Sequence, residues 1–187
     1  RPKPMLPVAG KCFLEHTLIA LRDAGIQDIF ILTGYHGATI KDHFGDGSSL
    51  SLRIDYLVQP ERLGTAHAVS MARDVMDGPF LCINADVIVS EDLVRGMIDG
   101  YNDGGFDTMT LVNVDDCSRF GLVEVKDGFV DRIVEKPGRR IRGLINGGIY
   151  LFNIHIFEAI DDTPLSLRGE YELTRSIELL MASKKVK

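Results

Sequence analysis

A chain of 187 residues, 45% apolar and 26% charged, has the make-up of an ordinary globular protein and is long enough to bury a substantial core in one domain. Its formal net charge of -6 argues against a general nucleic-acid binder, because phosphate backbones want a basic surface. No apolar run reaches the roughly 20 residues of a membrane span, and no signal-peptide pattern is seen. The three cysteines, Cys12, Cys82 and Cys117, show no CxxC spacing. That argues against a structural zinc site or disulfide framework and for a reducing, cytoplasmic setting.

The opening, Arg1 to Val8, carries three prolines and reads as an extended loop that fixes Lys3 in place. From Phe13 to Ala24 the spacing predicts a helix, with Leu14, Leu18 and Leu21 on one face and Gly25 as its stop. Asp28 leads into IFILT, a continuous apolar run of the kind found in buried parallel strands. A short helix is predicted over Ala38–Phe44, then a strand over Leu52–Val58. The stretch from Leu57 to Asp86 reads as strand, loop, helix and strand. Gln59-Pro60 breaks the first strand, Gly64-Thr65 opens a small-residue helix to Arg73, and PFLCIN stops at Asp86. A β-α-β unit needs a parallel sheet, and ligands of such sheets bind beyond the carboxyl ends of the strands.

Ser90, followed by Glu91 and Asp92, predicts the N-terminus of a helix that runs to about Tyr101. Thr108–Val114 reads as a strand. Asp127-Gly128 between two β runs, Leu122–Val125 and Phe129–Glu135, signals a hairpin. Ile145–Phe152 is a strand interrupted by Asn146-Gly147-Gly148, where glycine marks a bulge or a close approach. Helices are predicted near Ile154–Ile160 and Tyr171–Ser183. The order implies a mixed α/β sheet, parallel first with antiparallel additions later.

Several groups carry chemistry, each with a plainer alternative. Lys3 is a phosphate clamp on a stiff backbone, or a surface lysine. Gln59 offers an amide that can pair with a pyrimidine imide, or is a loop residue. Gly64-Thr65 opens a helix whose N-terminus favours anions, or is packing alone. His67 lies inside that helix and reads as structural. Asp86 is placed to bind Mg²⁺, or caps a turn. It stands without the second acid of a DxD pair, which disfavours a glycosyltransferase. Glu135 and Lys136 point to opposite faces of a strand end and imply separate partners, a sugar hydroxyl and a phosphate, or else are solvated. Arg168 is a phosphate ligand or an exposed loop residue.

Taken together, PKPMLPVAGK, QPERLGTAHA, NAD at Asp86, FGLVEV, VEKP, NGGIYLF and RGEYELT resemble the sugar-1-phosphate nucleotidylyltransferases, in the family's order and over nearly the whole chain. The resemblance implies a Rossmann-like three-layer α/β/α fold with a mixed, mainly parallel sheet, formed by one catalytic domain over residues 1–187. It implies that Lys3 contacts the triphosphate and that Gln59, Pro60, Gly64 and Thr65 read the base. Asp86 binds Mg²⁺. Gly121, Glu135, Asn146 and Gly147 hold the sugar, and Lys136 and Arg168 grip its phosphate, with Lys3, Asp86 and Lys136 as the catalytic set. The partners implied are an NTP and a sugar-1-phosphate, with no nucleic acid or membrane and with room for a homo-oligomer. Gln59 favours UTP or dTTP. The family's Gly-rich loop and its strand are expected before Arg1, and a second metal ligand beyond Lys187, so a fragment, or ends disordered in a crystal, is expected. Ala85 replaces the usual Gly. The alternatives are a non-catalytic regulatory relative and a guanylyl- or cytidylyltransferase of the same fold.

Overall fold

The computed structural model describes residues 2–34, 37–135 and 138–187. After a 3₁₀ turn at Lys3–Met5, strands β1 (Pro7–Val8) and β2 (Lys11–Cys12) form a hairpin. Ala9 and Gly10 at its tip both have positive φ, 48° and 85°. Such a mirror-image turn matches the twist of the flanking strands. The sequence reading expected an extended loop here. Pro7 fits instead because it stands at the first position of a strand, where a missing N–H is tolerated.

Helix α1 (Phe13–Asp23) buries Leu14, Leu18 and Leu21, the face its periodicity predicts. Strands β3 (Asp28–Thr33) and β4 (Arg53–Val58) pair in parallel, from Asp28 opposite Arg53 to Thr33 opposite Val58. Helix α2 (Gly37–Phe44) lies between them in sequence and buries Ile40 and Phe44. Helix α3 (Thr65–Ser70) and strand β5 (Phe80–Ile83) follow. Helix α4 (Glu91–Gly104) starts where predicted, because the Ser90 hydroxyl accepts the Leu93 N–H at 3.2 Å. It runs past Tyr101 and stops at Gly105, with φ 65°.

The remaining strands are β6 (Thr108–Val114), β7 (Gly121–Lys126), β8 (Phe129–Glu135) and β9 (Gly143–Phe152). Asp127 and Gly128 make the predicted hairpin turn between β7 and β8, with φ 52° and 80°. Helices α5 (Ile156–Asp161) and α6 (Leu173–Met181) close the chain. None of the described helices is long and apolar enough to cross a membrane.

Ten residues long, β9 is the hub of the second sheet. β6 runs antiparallel to it, with a register shift between Met109 and Leu111. β5 and β7 also pair with it, one after the other: β5 with Ile149–Phe152, β7 with Leu144 and Ile145. Asn146-Gly147-Gly148 is the stretch between those two partners.

The fold is mixed α/β as expected, and among the described strands the parallel pairing is that of β3 with β4. β5 does not join them; its partner is β9. A cavity of about 910 Å³ lies against both β3 and β5. Consecutive residues of each strand line it, Ile29 to Leu32 and Phe80 to Ile83. Alternate side chains point to opposite faces of a strand, so such a lining presents the strand's edge. Leu14 and Leu18 of α1 line the same cavity.

Candidate active site

The residues singled out from the sequence gather in two groups. The first is built on the end of β4 and the start of α3. Gln59 follows β4 directly, and its N–H donates to Thr33 O at 2.9 Å, which continues the β3–β4 ladder by one bond. Its side-chain Nε2 donates to Gly64 O at 3.1 Å and stands 2.9 Å from His67 Nδ1. An amide nitrogen has two hydrogens, so both are committed, and Oε1 is the acceptor with no partner among the described residues. Nothing in the spacing of Gln59 and His67 signals this contact. His67, read as structural from the sequence, is the residue that fixes the glutamine's orientation.

Gly64 has φ 105°, and a Cβ there would lie 2.5 Å from Tyr171 O and 2.7 Å from Tyr171 N. Its lack of a side chain therefore admits the chain's own backbone. Tyr171 N–H donates to Leu63 O at 2.7 Å, and Ala66 N–H donates to Tyr171 O at 2.8 Å. The Thr65 hydroxyl accepts the Leu173 N–H at 2.9 Å. That bond caps α6, whose first amides otherwise lack partners. Pro60 is exposed at the rim of this loop. Arg168 is exposed three residues before Tyr171, with its guanidinium 4.0 Å from Glu172.

The second group stands at the fork where β9 changes partner. β5 ends at Ile83, and Asn84 N–H donates to Gly148 O at 2.9 Å. Asn84 O accepts the Val87 N–H at 3.0 Å, which closes a turn with Asp86 exposed upon it. Gly148 has φ 76°, and a Cβ there would meet Asn84 Nδ2 at 2.6 Å. From the other arm of the fork, Leu122 of β7 pairs with Ile145, so the register carries Gly121 opposite Asn146. Gly121 also pairs with Glu135 at the end of β8. Asn146 Oδ1 accepts the Gly148 N–H at 2.9 Å, and its Nδ2 donates to Tyr150 Oη at 2.6 Å. Half of its hydrogen-bonding capacity is spent on holding the bulge, and the other half has no partner among the described residues. Burial pushes the Tyr150 phenol up to about 12, which keeps it neutral and fit to accept that bond. Gly147 lies against Thr110, 2.5 Å from where its Cβ would be.

Asp86, Gly121, Asn146 and Gly147 are thus brought together by backbone pairing, with Glu135 one strand further on. Thr65 and Asn84 both line the cavity between β3 and β5, which links the two groups along one wall. Lys3 stands in the opening 3₁₀ turn and is exposed. Lys136 falls outside the described residues.

The whole of this chain, residues 1–187, matches the family model described as nucleotidyl transferase. It is 34% identical over its full length to the bifunctional protein GlmU of Methanococcus maripaludis, of which it covers 43%. It is 36% identical over 96% of its length to the low-salt glycan biosynthesis nucleotidyltransferase Agl11 of Haloferax volcanii, covering 51% of that protein. The chain therefore spans about half the length of these curated relatives. A crystal structure described as a glucose-1-phosphate thymidylyltransferase from Bacillus anthracis, in complex with a sucrose, superposes with a TM-score of 0.87 at 28% identity, over 99% of this chain and 76% of that one.

Proposed function

Since the chain belongs to the nucleotidyl transferase family, whose members among its relatives include named sugar nucleotidyltransferases, we propose that it carries the catalytic core of an enzyme joining an NTP to a sugar-1-phosphate, with UTP or dTTP as the nucleotide. The convergence of Asp86, Gly121 and Asn146–Gly148 at the fork of β5 and β7 carries this reading. Asp86 is exposed on the turn after β5, and the Asn146 amide holds the stretch where β9 changes partner.

In the reaction, a phosphate oxygen of the sugar-1-phosphate attacks the α-phosphorus of the NTP. The bond from that phosphorus to the bridging oxygen breaks, and pyrophosphate leaves with the electron pair. No covalent enzyme intermediate is needed, so the protein acts by positioning two anions and neutralising charge. Asp86 on its turn offers hard oxygen ligands only, which suits Mg²⁺, an ion that takes one or two carboxylates beside phosphate oxygens and water. When bound there, Mg²⁺ would supply charge neutralisation at the phosphates. Lys3 and Lys136 are the proposed cations toward the triphosphate and the sugar phosphate, and Arg168 is a further proposed phosphate ligand. Asn146 has one N–H and one lone pair left for sugar hydroxyls, with Gly121, Gly147 and Glu135 around the ring. Gly64 and Thr65 act by fastening the base loop to Tyr171 and Leu173.

Gln59 supports the choice of base. Its open Oε1 accepts a ring N–H, which uracil and thymine present and which cytosine and adenine lack. Guanine also presents one, so a guanylyltransferase is the second reading. The probable mannose-1-phosphate guanylyltransferase 3 of Oryza sativa is 31% identical over 90% of this chain. Pyrophosphate release with UTP, dTTP, GTP and CTP against a panel of sugar-1-phosphates tests both. UTP or dTTP should be used fastest, and Gln59→Leu should lower kcat/KM for that nucleotide by about tenfold to a hundredfold. Faster use of GTP than of either would install the second reading, and no release with any pair would make the protein a regulatory relative.

A further inference from the structure

Where β2, α1 and α2 meet, three side chains that ligate metals come together. Cys12 Sγ, a Glu15 carboxylate oxygen and a His43 ring nitrogen all lie within 4.8 Å of one another. The thiol and the imidazole are the nearest pair, with Sγ 3.9 Å from Nε2. Cys12 ends β2 and precedes α1, Glu15 stands in the first turn of α1, and His43 is in the last turn of α2. Three elements therefore converge on one point, and two of the ligands are 31 residues apart in sequence.

We propose that Cys12, Glu15 and His43 form a site for a thiophilic divalent cation of the zinc class. A tetrahedral ion with Zn–S near 2.3 Å and Zn–N near 2.0–2.1 Å sets sulfur and nitrogen about 3.6 Å apart. The observed 3.9 Å is within a small side-chain rotation of that value. Sulfur and imidazole are poor ligands for Mg²⁺ and good ones for Zn²⁺ or Co²⁺, so the site is chemically distinct from that at Asp86. The carboxylate supplies the third ligand and water the fourth, as in open three-ligand zinc sites. Glu15 is held by the Lys11 ammonium at 2.9 Å. Lys11 is half exposed and can turn to solvent as the cation takes its place. The sequence argued against zinc because its three cysteines show no CxxC spacing, and the Cys12–Glu15 and Glu15–His43 spacings match no zinc motif either.

An ion here would tie the start of α1 and the β1–β2 hairpin to the end of α2. It would thereby hold the segment that carries Lys3 against the Ile40 and Phe44 side of the core. The site needs no part of the nucleotidyl-transfer reading and stands or falls apart from it.

Titration of the reduced, metal-free protein with Co²⁺ is the test. One equivalent should bind, with a near-ultraviolet thiolate-to-cobalt charge-transfer band, and Zn²⁺ should displace it while excess Mg²⁺ does not. Cys12→Ser should abolish the band, and Cys82→Ser and Cys117→Ser should leave it intact. His43 is exposed, so His43→Gln serves if Cys12→Ser fails to fold, and it should weaken Co²⁺ binding by at least about tenfold. Absence of the band, its persistence in Cys12→Ser, unchanged affinity in His43→Gln, or displacement by Mg²⁺ would each overturn the proposal.

Discussion

The β3–β4 pair and the five-stranded sheet centred on β9 are built on opposite plans, and the candidate site draws on both. β3 and β4 are two parallel strands whose stability comes from helices, with Leu14, Leu18, Ile40 and Phe44 packed around Ile31 and Ile54. A two-stranded sheet is marginal without such cover. β9 instead pairs on both edges, with Tyr150 and Phe152 buried in a cluster that includes α5 and α6 and Leu151 in one that includes α1 and α4. Gln59, the proposed base-reading residue, grows from the first plan, and the proposed sugar and metal residues grow from the second. The proposed binding of the base and handling of the phosphates should therefore be separable by perturbing one region and not the other.

The largest test of that separation is Phe152→Ala. Phe152 is fully buried, stacks on Tyr150 at 5.1 Å and meets Phe80 at 6.1 Å. Its truncation should cost about 3–5 kcal/mol in urea unfolding. Ile31→Ala, in the other region, should cost about 2–5 kcal/mol. Hydrogen exchange in each variant should speed most in the strands around the mutated residue; equal loss of protection everywhere would show one cooperative unit and end the distinction.

Next in size is Gly64→Ala, at the seam between the regions. The new Cβ would meet the Tyr171 backbone at 2.5 Å in a left-handed conformation, so about 1–3 kcal/mol of strain is expected. KM for the nucleotide should rise as the loop parts from Tyr171, and an unchanged KM would remove this loop from base binding. Gly148→Ala is the matched control at the fork. There the Cβ meets the end of the Asn84 side chain, which can move, so a smaller stability loss is expected.

The smallest effect concerns pH. Asp107 is buried, and burial raises its carboxyl above the usual range, although it accepts the Asn153 N–H at 2.6 Å. A carboxyl whose pKa is raised on folding binds its proton more tightly in the folded state. The folded form therefore loses stability as pH rises from the ordinary carboxylate range through the raised value. Asp107→Asn should flatten that decline in a series of urea midpoints against pH, and a parallel decline would show that other groups cause it.

Much of the fold was legible because its signals are local. Ser90 capped α4, Asp127-Gly128 turned the hairpin, and the Leu14, Leu18, Leu21 face went inward, since each depends on residues within a turn or two. Long-range choices were not. Nothing near Ile145 or Ile149 announces that β9 exchanges β7 for β5 between them, and nothing in Phe80–Ile83 announces an antiparallel partner. The site shows the same division. Asn146-Gly147-Gly148 was marked by glycines inside a strand, and it proved to be the fork. Gly64 and Thr65 were marked too, but their partner is Tyr171 and Leu173, far along the chain. The Gln59–His67 contact had no local sign at all.

The apolar trough shared by β3 and β5 has one further meaning. Each strand turns an unbonded border toward it, so a single extended peptide lodged there could receive main-chain hydrogen bonds from left and right at once. Any such guest would fuse two sheets into one continuous ribbon. How firmly it sat would then govern the span from the Gln59 loop to the Asp86 turn.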